Sequence, residues 1–283
     1  MERIKEIKKA AMECGFEADL FIEEKKTAEI SVAEGRIEKS ENSDSFGAAI
    51  RVFKDGKMGF GFFTEKSGET AENIIKKALQ GAYIEGYGDY TLALPGEYKN
   101  AKMVCGGYDG IDAKKMENTA LAMENAVKNF SGKIEFVRET SFEKMKKTTA
   151  YFNTRGVDVS YEKTFYSLQT MAISSDGNER KAVDGFAGES LFENINPEKT
   201  GAETAQRAVR LLNAKPVPTG RYTLILPPHT GVDFLGLLSG MFLYSNIRKG
   251  KSLLKKNKKG DKIASEKISI SDDALLDYGA GSF

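Results

Sequence analysis

One histidine, His229, stands in a chain of 283 residues, and tryptophan is absent. A zinc helix of the HExxH or HExxxH type needs two histidines, so none can be built from this chain alone. Cys14 and Cys105 are the only cysteines. Together with His229 they are too few for a Cys/His zinc centre. Met1 opens directly into ERIKEIKKAAMEC, a charged amphipathic helix with none of the features of a signal peptide. Two distant cysteines without such a signal suggest structural thiols in a reducing, cytoplasmic setting. Long apolar runs are missing too. The longest, Phe234–Leu243, holds two glycines and is too short to span a bilayer, so no membrane partner is expected. Neither sign of charge is in excess: 42 basic residues face 41 acidic ones, for a formal charge of +1. No global attraction to nucleic acid follows from that balance.

Familiar catalytic arrangements are equally scarce. A Ser–His–Asp triad would have to use His229, which lies in a PPHTG turn. Ser239 and Asp233 are near in sequence, but no GxSxG elbow surrounds either. Helix entry or simple surface exposure is the expected role of His229. Gly106-Gly107-Tyr108-Asp109-Gly110 lacks the GK[ST] ending of a phosphate loop. The tight acidic pairs are Glu23-Glu24 and Asp272-Asp273. Neighbours in a strand point to opposite faces, so neither pair is a natural acid/base dyad. Arg248 to Lys262 carries eight Lys/Arg residues and one Asp, without interleaved aromatics. It reads as a solvated loop. No catalytic, cofactor-binding or metal-ligating residue is therefore assigned in this chain.

What is present is β structure. Tyr151 to Phe186 is rich in Tyr, Phe, Val and Thr, has no proline, and carries turn signals at Arg155-Gly156 and Asp176-Gly177. Val157, Val159 and Tyr161 alternate with Asp158, Ser160 and Glu162, the period of a half-buried strand. Ala28 to Phe63 follows the same plan, with turns at Glu34-Gly35 and Asp55-Gly56. Gly156 lies 121 positions after Gly35, and Asp176 the same distance after Asp55. A helix pattern follows each stretch, Ser67–Ile84 and Pro197–Leu212. This spacing predicts a duplicated strand–hairpin–strand–helix module.

The remaining elements fall around these modules. Arg3–Glu13 is a helix ended near Gly15, and Asp19–Lys25 and Ala28–Val32 read as strands. Ser67 is the expected cap of the helix after the first module. Gly86–Gly110 holds six glycines and reads as an irregular connection. Asp112 caps a helix running to Phe130, with a core stripe of Met116, Ala120, Met123, Val127 and Phe130. Lys133–Thr140 is a strand. Asn196 caps the last module helix, with Pro197 at its first position. Asn213–Gly220, NAKPVPTG, is a stiff linker leading to a strand at Arg221–Leu226. A buried helix follows, ended near Gly240, and Ile263–Ile270 is another strand. The fold class is thus α+β. Residues 1–213 carry modules at about 1–85 and 112–213, joined by 86–111. Residues 214–283 begin a β-rich C-terminal domain.

The linker and strand, Asn213-Ala214-Lys215-Pro216-Val217-Pro218-Thr219-Gly220-Arg221-Tyr222, are very similar to a hallmark of the TldD/PmbA family, once labelled modulators of DNA gyrase. Val159-Ser160-Tyr161-Glu162 with Tyr166-Ser167-Leu168 resembles the family's central signature. Val32–Ser40 and Asp55-Gly56-Lys57-Met58-Gly59-Phe60 resemble its N-terminal one. Arg248-Lys249-Gly250-Lys251-Ser252 resembles the loop after its active-site helix. The resemblance runs from about Leu20 to the last residue. It implies a metallopeptidase whose TldD branch carries HExxxH between the PTG-R strand and the KG-S loop. Here that window reads Phe234-Leu235-Gly236-Leu237-Leu238-Ser239-Gly240, with neither histidine nor glutamate. The chain therefore resembles the PmbA (TldE) branch. That implies a metal-free subunit of a cytoplasmic peptidase, paired with a TldD-like subunit that carries zinc or another divalent metal, and acting on peptides or unfolded polypeptides. Pairing with a second copy of itself is the other arrangement considered. Family members continue well beyond the match to Gly279–Phe283, so the chain resembles a C-terminally truncated form. A non-catalytic peptide-binding or scaffold protein is the alternative function, and a nucleic-acid-associated protein the third.

Overall fold

The computed structural model describes residues 2–64, 68–81, 91–99, 101–104, 107–273 and 275–279. They divide into two compact units, Met1–Ala214 with Asp273–Phe283, and Lys215–Asp272.

The first unit is a six-stranded antiparallel sheet in the order β3-β2-β1-β4-β5-β6. The strands are β1 (Glu17–Ala33), β2 (Arg36–Lys54), β3 (Lys57–Thr64), β4 (Ile134–Asn153), β5 (Asp158–Ser175) and β6 (Arg180–Glu189). Four helices accompany them: α1 (Glu2–Glu13), α2 (Ala71–Gln80), α3 (Ala113–Lys128) and α4 (Pro197–Leu211). Each module thus gives one helix before its strands and one after, around three consecutive antiparallel strands. Asp55-Gly56 forms the β2–β3 turn, with φ of 51° and 72°. Both residues at positive φ is the combination a two-residue hairpin requires. Gly177, at φ 89°, serves the β5–β6 turn.

The two modules are one structure. β1 pairs with β4 from Asp19↔Asn153 to Val32↔Thr140, so a single sheet runs through both. The strands expected at Asp19–Lys25 and Ala28–Val32 are one continuous β1. Lys25 and Lys26 interrupt the apolar alternation at its middle, but the ladder carries the backbone through.

Length has a consequence for the core. The Glu17 end of β1 packs Ala18, Leu20 and Ile22 against Ile7 and Ala11 of α1 and Ile74, Ile75 and Ala78 of α2. Its far end delivers Ile30 and Val32 to a second cluster, with Met116, Ala120 and Met123 of α3 and with Phe142, Tyr166 and Leu168. In return, Phe152 at the end of β4 joins the first cluster. Each module therefore completes the other's core. A third cluster joins Val127 of α3, Val137 and Ala172 of the sheet, and Ala205 and Ala208 of α4. Burying one such aliphatic side chain is worth about 1.5–3 kcal/mol.

Glycines let the outer helices come close. A Cβ on Gly59 of β3 would lie 1.9 Å from the Ala78 carbonyl oxygen of α2. A Cβ on Gly185 of β6 would lie 2.1 Å from Thr204 Oγ1 of α4. Capping follows the sequence in two places. The Asp112 carboxylate accepts from Lys115 N–H at 2.8 Å. The Asn196 amide oxygen accepts from Lys199 N–H at 2.9 Å. For α2 the cap is Thr70, whose Oγ1 accepts from Asn73 N–H at 3.3 Å. The cap expected at Ser67 and the helix tail at 82–84 lie outside the described residues. In the α3 stripe Met116, Ala120, Met123 and Val127 are buried, whereas Phe130, past the end of the helix, is exposed.

The second unit holds α5 (Pro228–Ser239) and α6 (Tyr244–Arg248). The strands expected at Arg221–Leu226 and Ile263–Ile270 do not form; both segments are irregular. A strand is stable only with a paired neighbour, and neither segment has one among the described residues. The alternating Tyr222, Leu224 and Leu226 are accordingly exposed. The helix expected to be buried is exposed as well, with Leu237 at 83%. Among the described residues, no helix is long and apolar enough to cross a membrane.

Candidate functional site

His229 sits in the first turn of α5 and is exposed, with Pro227 as the preceding cap. Helix entry is its structural role. Asp233 and Ser239 on the same helix are exposed, and Ser239 Oγ donates to the Gly236 carbonyl at 2.7 Å. That bond uses the hydroxyl within the helix. Cys14 is a half-buried free thiol near the Phe16 carbonyl, at 3.6 Å. Cys105 and the Gly106 end of the glycine-rich segment lie outside the described residues. Among those described, no three His, Cys, Asp or Glu side chains come together as a metal-holding group. The Phe234–Gly240 window of α5 supplies no ligand type at all. These residues do not fit a catalytic metal.

The loop after α6 has a structural anchor. Ser252 is buried, its Oγ donates to the Met241 carbonyl at 2.7 Å, and it accepts from Leu254 N–H at 2.9 Å. The lysines from Lys255 to Lys262 are exposed. Glu23 and Glu24 do lie on opposite sides of β1, as strand geometry demands. Asp272 and Asp273 are exposed, and Asp273 Oδ1 caps the Leu275 N–H at 2.9 Å.

The sheet itself carries the concentration of polar groups. Helices cover the face of Leu20, Ile22, Ile30 and Phe142. The opposite face holds Asp19, Phe21, Glu23, Lys25 and Thr27 of β1. At one end of that face Asp19 is buried. Its Oδ1 accepts from Arg51 Nε at 2.9 Å, and its Oδ2 accepts from Arg51 Nη2 and, at 3.2 Å, from the Tyr151 hydroxyl. Asn153 Nδ2 donates to the Ala93 carbonyl at 2.9 Å. This bidentate pair is a fully used structural network.

At the centre of the sheet the modules meet with like charge. The 121-residue spacing of the turns carries Lys25 and Lys26 onto Lys146 and Lys147. The sheet pairs Lys25 with Lys147 and Lys26 with Lys146. On the helix side this charge is balanced: Asp44 lies across from Lys26, and Glu162 pairs with Lys146 at 3.2 Å. On the other face the row reads Ser45–Lys25–Lys147–Lys163. The adjoining rows are Gly47–Glu23–Thr149–Tyr161 and Ser43–Thr27–Met145–Phe165. Glu23, 3.1 Å from Lys147 Nζ, is the one carboxylate in the three rows. Burial first, and then the Lys147 charge, push the Lys163 ammonium below the ordinary lysine value. Its Nζ donates to the Gly279 carbonyl at 2.7 Å. Sequence reasoning did not single out this row, whose members lie on three strands. The signal was the Lys-Lys pair recurring at the repeat spacing.

Three successive family patterns match the chain: PmbA/TldA metallopeptidase domain 1 at residues 18–82, the central domain at 108–212, and the C-terminal domain at 219–283. The chain belongs to the PmbA/TldD family. A relative named metalloprotease from Methanothermobacter thermautotrophicus is 30% identical over 277 residues, covering 94% of this chain and 58% of the relative. A metalloprotease from Methanocaldococcus jannaschii is 26% identical over 283 residues, covering 96% of this chain and 61% of the relative. The chain thus spans about three-fifths of these curated relatives. Among solved structures, a putative modulator of DNA gyrase from Bacteroides thetaiotaomicron superposes with a TM-score of 0.86 at 18% identity, over 100% of this chain and 65% of the other. TldE from Thermococcus kodakarensis gives 0.63 at 16% identity, over 85% and 55%. These likenesses show the fold of a PmbA/TldD protein, and the family is metallopeptidase-like. The first PmbA/TldD pattern ends with α2, and the second runs from the turn before α3 to the end of α4.

Proposed function

We propose that this PmbA/TldD protein is the metal-free subunit of a two-component peptidase, acting on peptides or unfolded polypeptides beside a relative that carries HExxxH and the metal. The observation that carries this reading is the composition of α5. It lies between Pro218-Thr219-Gly220-Arg221 and Arg248-Lys249-Gly250-Lys251-Ser252, where the family resemblance places the metal helix. Its Phe234–Gly240 window is apolar apart from Ser239. Hydrolysis by a metal-activated water requires ligands and a general base, and this window supplies neither. Support also comes from exposure: Phe234, Leu235, Leu237 and Leu243 present an apolar block to solvent, the kind of surface that a protein partner covers. The sparse cysteines favour a reducing, cytoplasmic compartment.

Co-expression of tagged chain with an HExxxH-bearing family member tests the reading. A stable complex that survives size exclusion supports it. Failure of the two to associate, with peptide binding retained by this chain alone, would leave a peptide-holding protein in its place.

A further inference from the structure

The sheet ends in β3 on one side and β6 on the other, and only one of these edges is protected. Native sheets blunt their edges with charges, prolines, bulges or a covering element. β6 follows that practice. It carries Arg180, Lys181, Asp184 and Glu189, and Arg207 of α4 donates to its Asp184 carbonyl at 2.6 Å. β3 does not. Its sequence, KMGFGFFT, has no proline and a single charge, Lys57 at its first position. Its ladder with β2 runs from Lys54↔Lys57 to Gly47↔Thr64 without a bulge. The Asp55-Gly56 turn makes Lys54↔Lys57 the closing hydrogen-bonded pair, so Gly59, Gly61 and Phe63 bond to β2. The backbone groups of Phe60, Phe62 and Thr64 point away from β2, and all three residues are exposed. Among the described residues, no turn or loop backbone bond reaches them. Phe60 and Phe62 share the helix-free face with Asp19 and Arg51. They are 51% and 73% exposed, with ring centroids 6.4 Å apart.

We infer that β3 pairs with β3 of a second copy of this chain, antiparallel and about a two-fold axis at Gly61. The strand is self-complementary there. Pairing centred on Gly61 sets Phe60 opposite the second copy's Phe62, and Phe62 opposite its Phe60. The outward N–H and C=O groups of both residues then enter a ladder, and four rings gather on one face. Gly61 meets its own copy as a non-hydrogen-bonded pair, where Cα atoms close to about 4.5 Å. Area sets the strength of this pairing. The two phenylalanines leave roughly 500 Å² exposed over both copies together. A standard stable interface buries about 1,200–2,000 Å². The dimer is therefore weak and concentration-dependent. Head-to-tail pairing onto β6 would grow open fibres, and it meets a charged edge. An unrelated extended peptide can use the same backbone groups, but nothing in it selects the symmetry about Gly61. Because α5 takes no part, the inference goes beyond the subunit reading and does not depend on it.

Sedimentation equilibrium of the full chain from about 1 μM to about 1 mM tests this, and a monomer–dimer equilibrium is expected within that range. Phe62→Lys should weaken the dimer about tenfold or more, with an unchanged thermal melt because Phe62 is exposed. L237K on α5 and F186K on β6, also at exposed positions, should dimerise as the parent does. Two double variants read the register. Symmetry about Gly61 sets lysine opposite glutamate in F60K/F62E, and lysine opposite lysine in F60K/F62K. The first should dimerise more tightly than the second, by a margin that shrinks with added salt. Loss of folding cannot produce that difference. A monomer throughout the range, a dimer that L237K or F186K dissolves while F62K does not, or equal association of the two double variants would each overturn the inference.

Discussion

The backbone N–H of Gly35 donates to Oε2 of Glu124 at 3.0 Å, which fastens the tip of the first hairpin to a helix of the second module. Glu124 is completely buried, and its Oε1 pairs with Lys128 Nζ at 2.8 Å. The turn places Glu34 and Gly35 at positive φ, 52° and 75°, so its N–H groups cannot be used by the ladder alone. Glu124→Ala should destabilise the protein by about 1.5–3 kcal/mol, because it removes both the acceptor of the Gly35 N–H and the partner of Lys128. Glu124→Gln keeps an acceptor and should cost less. Urea unfolding of the two variants measures the difference, and equal stabilities would show that the clamp contributes nothing.

Gly59 and Gly185 are predicted to be intolerant of a methyl group. Each would place a Cβ within 2.1 Å of an atom of the helix above it. For Gly59 the obstacle is backbone, the Ala78 carbonyl, so α2 itself must move. Gly59→Ala should cost about 1–3 kcal/mol. Gly47→Ala in β2 is the control, since a Cβ there meets nothing within 4 Å. The thermal midpoint of Gly59→Ala should fall well below the parent's, and that of Gly47→Ala should stay near it; equal midpoints for the two variants would show that α2 yields without cost.

These relationships divide by range in sequence. The turns at Asp55-Gly56 and Asp176-Gly177, the Asp112 and Asn196 caps and the α3 stripe are set by neighbours a few residues apart, and they could be read directly. The repeat was visible as a spacing of turns. That the two modules share one sheet and exchange core residues was not, because β1 meets β4 across more than a hundred residues and Lys25-Lys26 mask its continuity. The same holds for the lysine row, assembled from Lys25, Lys147 and Lys163. The strands expected at Arg221–Leu226 and Ile263–Ile270 had the right local pattern, but pattern does not supply a pairing neighbour. For the candidate peptidase site, the telling feature was local after all: a seven-residue window of α5 without a ligand.

Asp176 gives the fold a measurable acid dependence. Its Oδ1 accepts from the Glu179 and Asn178 N–H groups, each at 3.0 Å, and its Oδ2 from Asn213 Nδ2 at 3.1 Å. The Glu179 N–H, then that of Asn178, hold its carboxyl below the ordinary aspartate value. A carboxylate with a lowered folded pKa contributes stability above its unfolded pKa, and that stability is lost as pH falls through the folded pKa. Asp176→Ala should therefore lower the thermal midpoint at neutral pH. The gap from the parent should close as the pH drops below the ordinary aspartate value of about 3.9. A gap that stays constant from neutral to acid pH would mean that the carboxylate charge is not what matters.

The metal content of this chain, alone and in complex with an HExxxH-bearing relative, bears most directly on the proposed function. Elemental analysis of the purified chain should find no stoichiometric zinc, and the chain alone should not hydrolyse peptides. The complex should hold a single metal ion that stays with the relative when the two are separated, and its peptide hydrolysis should stop on chelation. Zinc held tightly by this chain alone, or chelator-sensitive hydrolysis without the relative, would contradict the account.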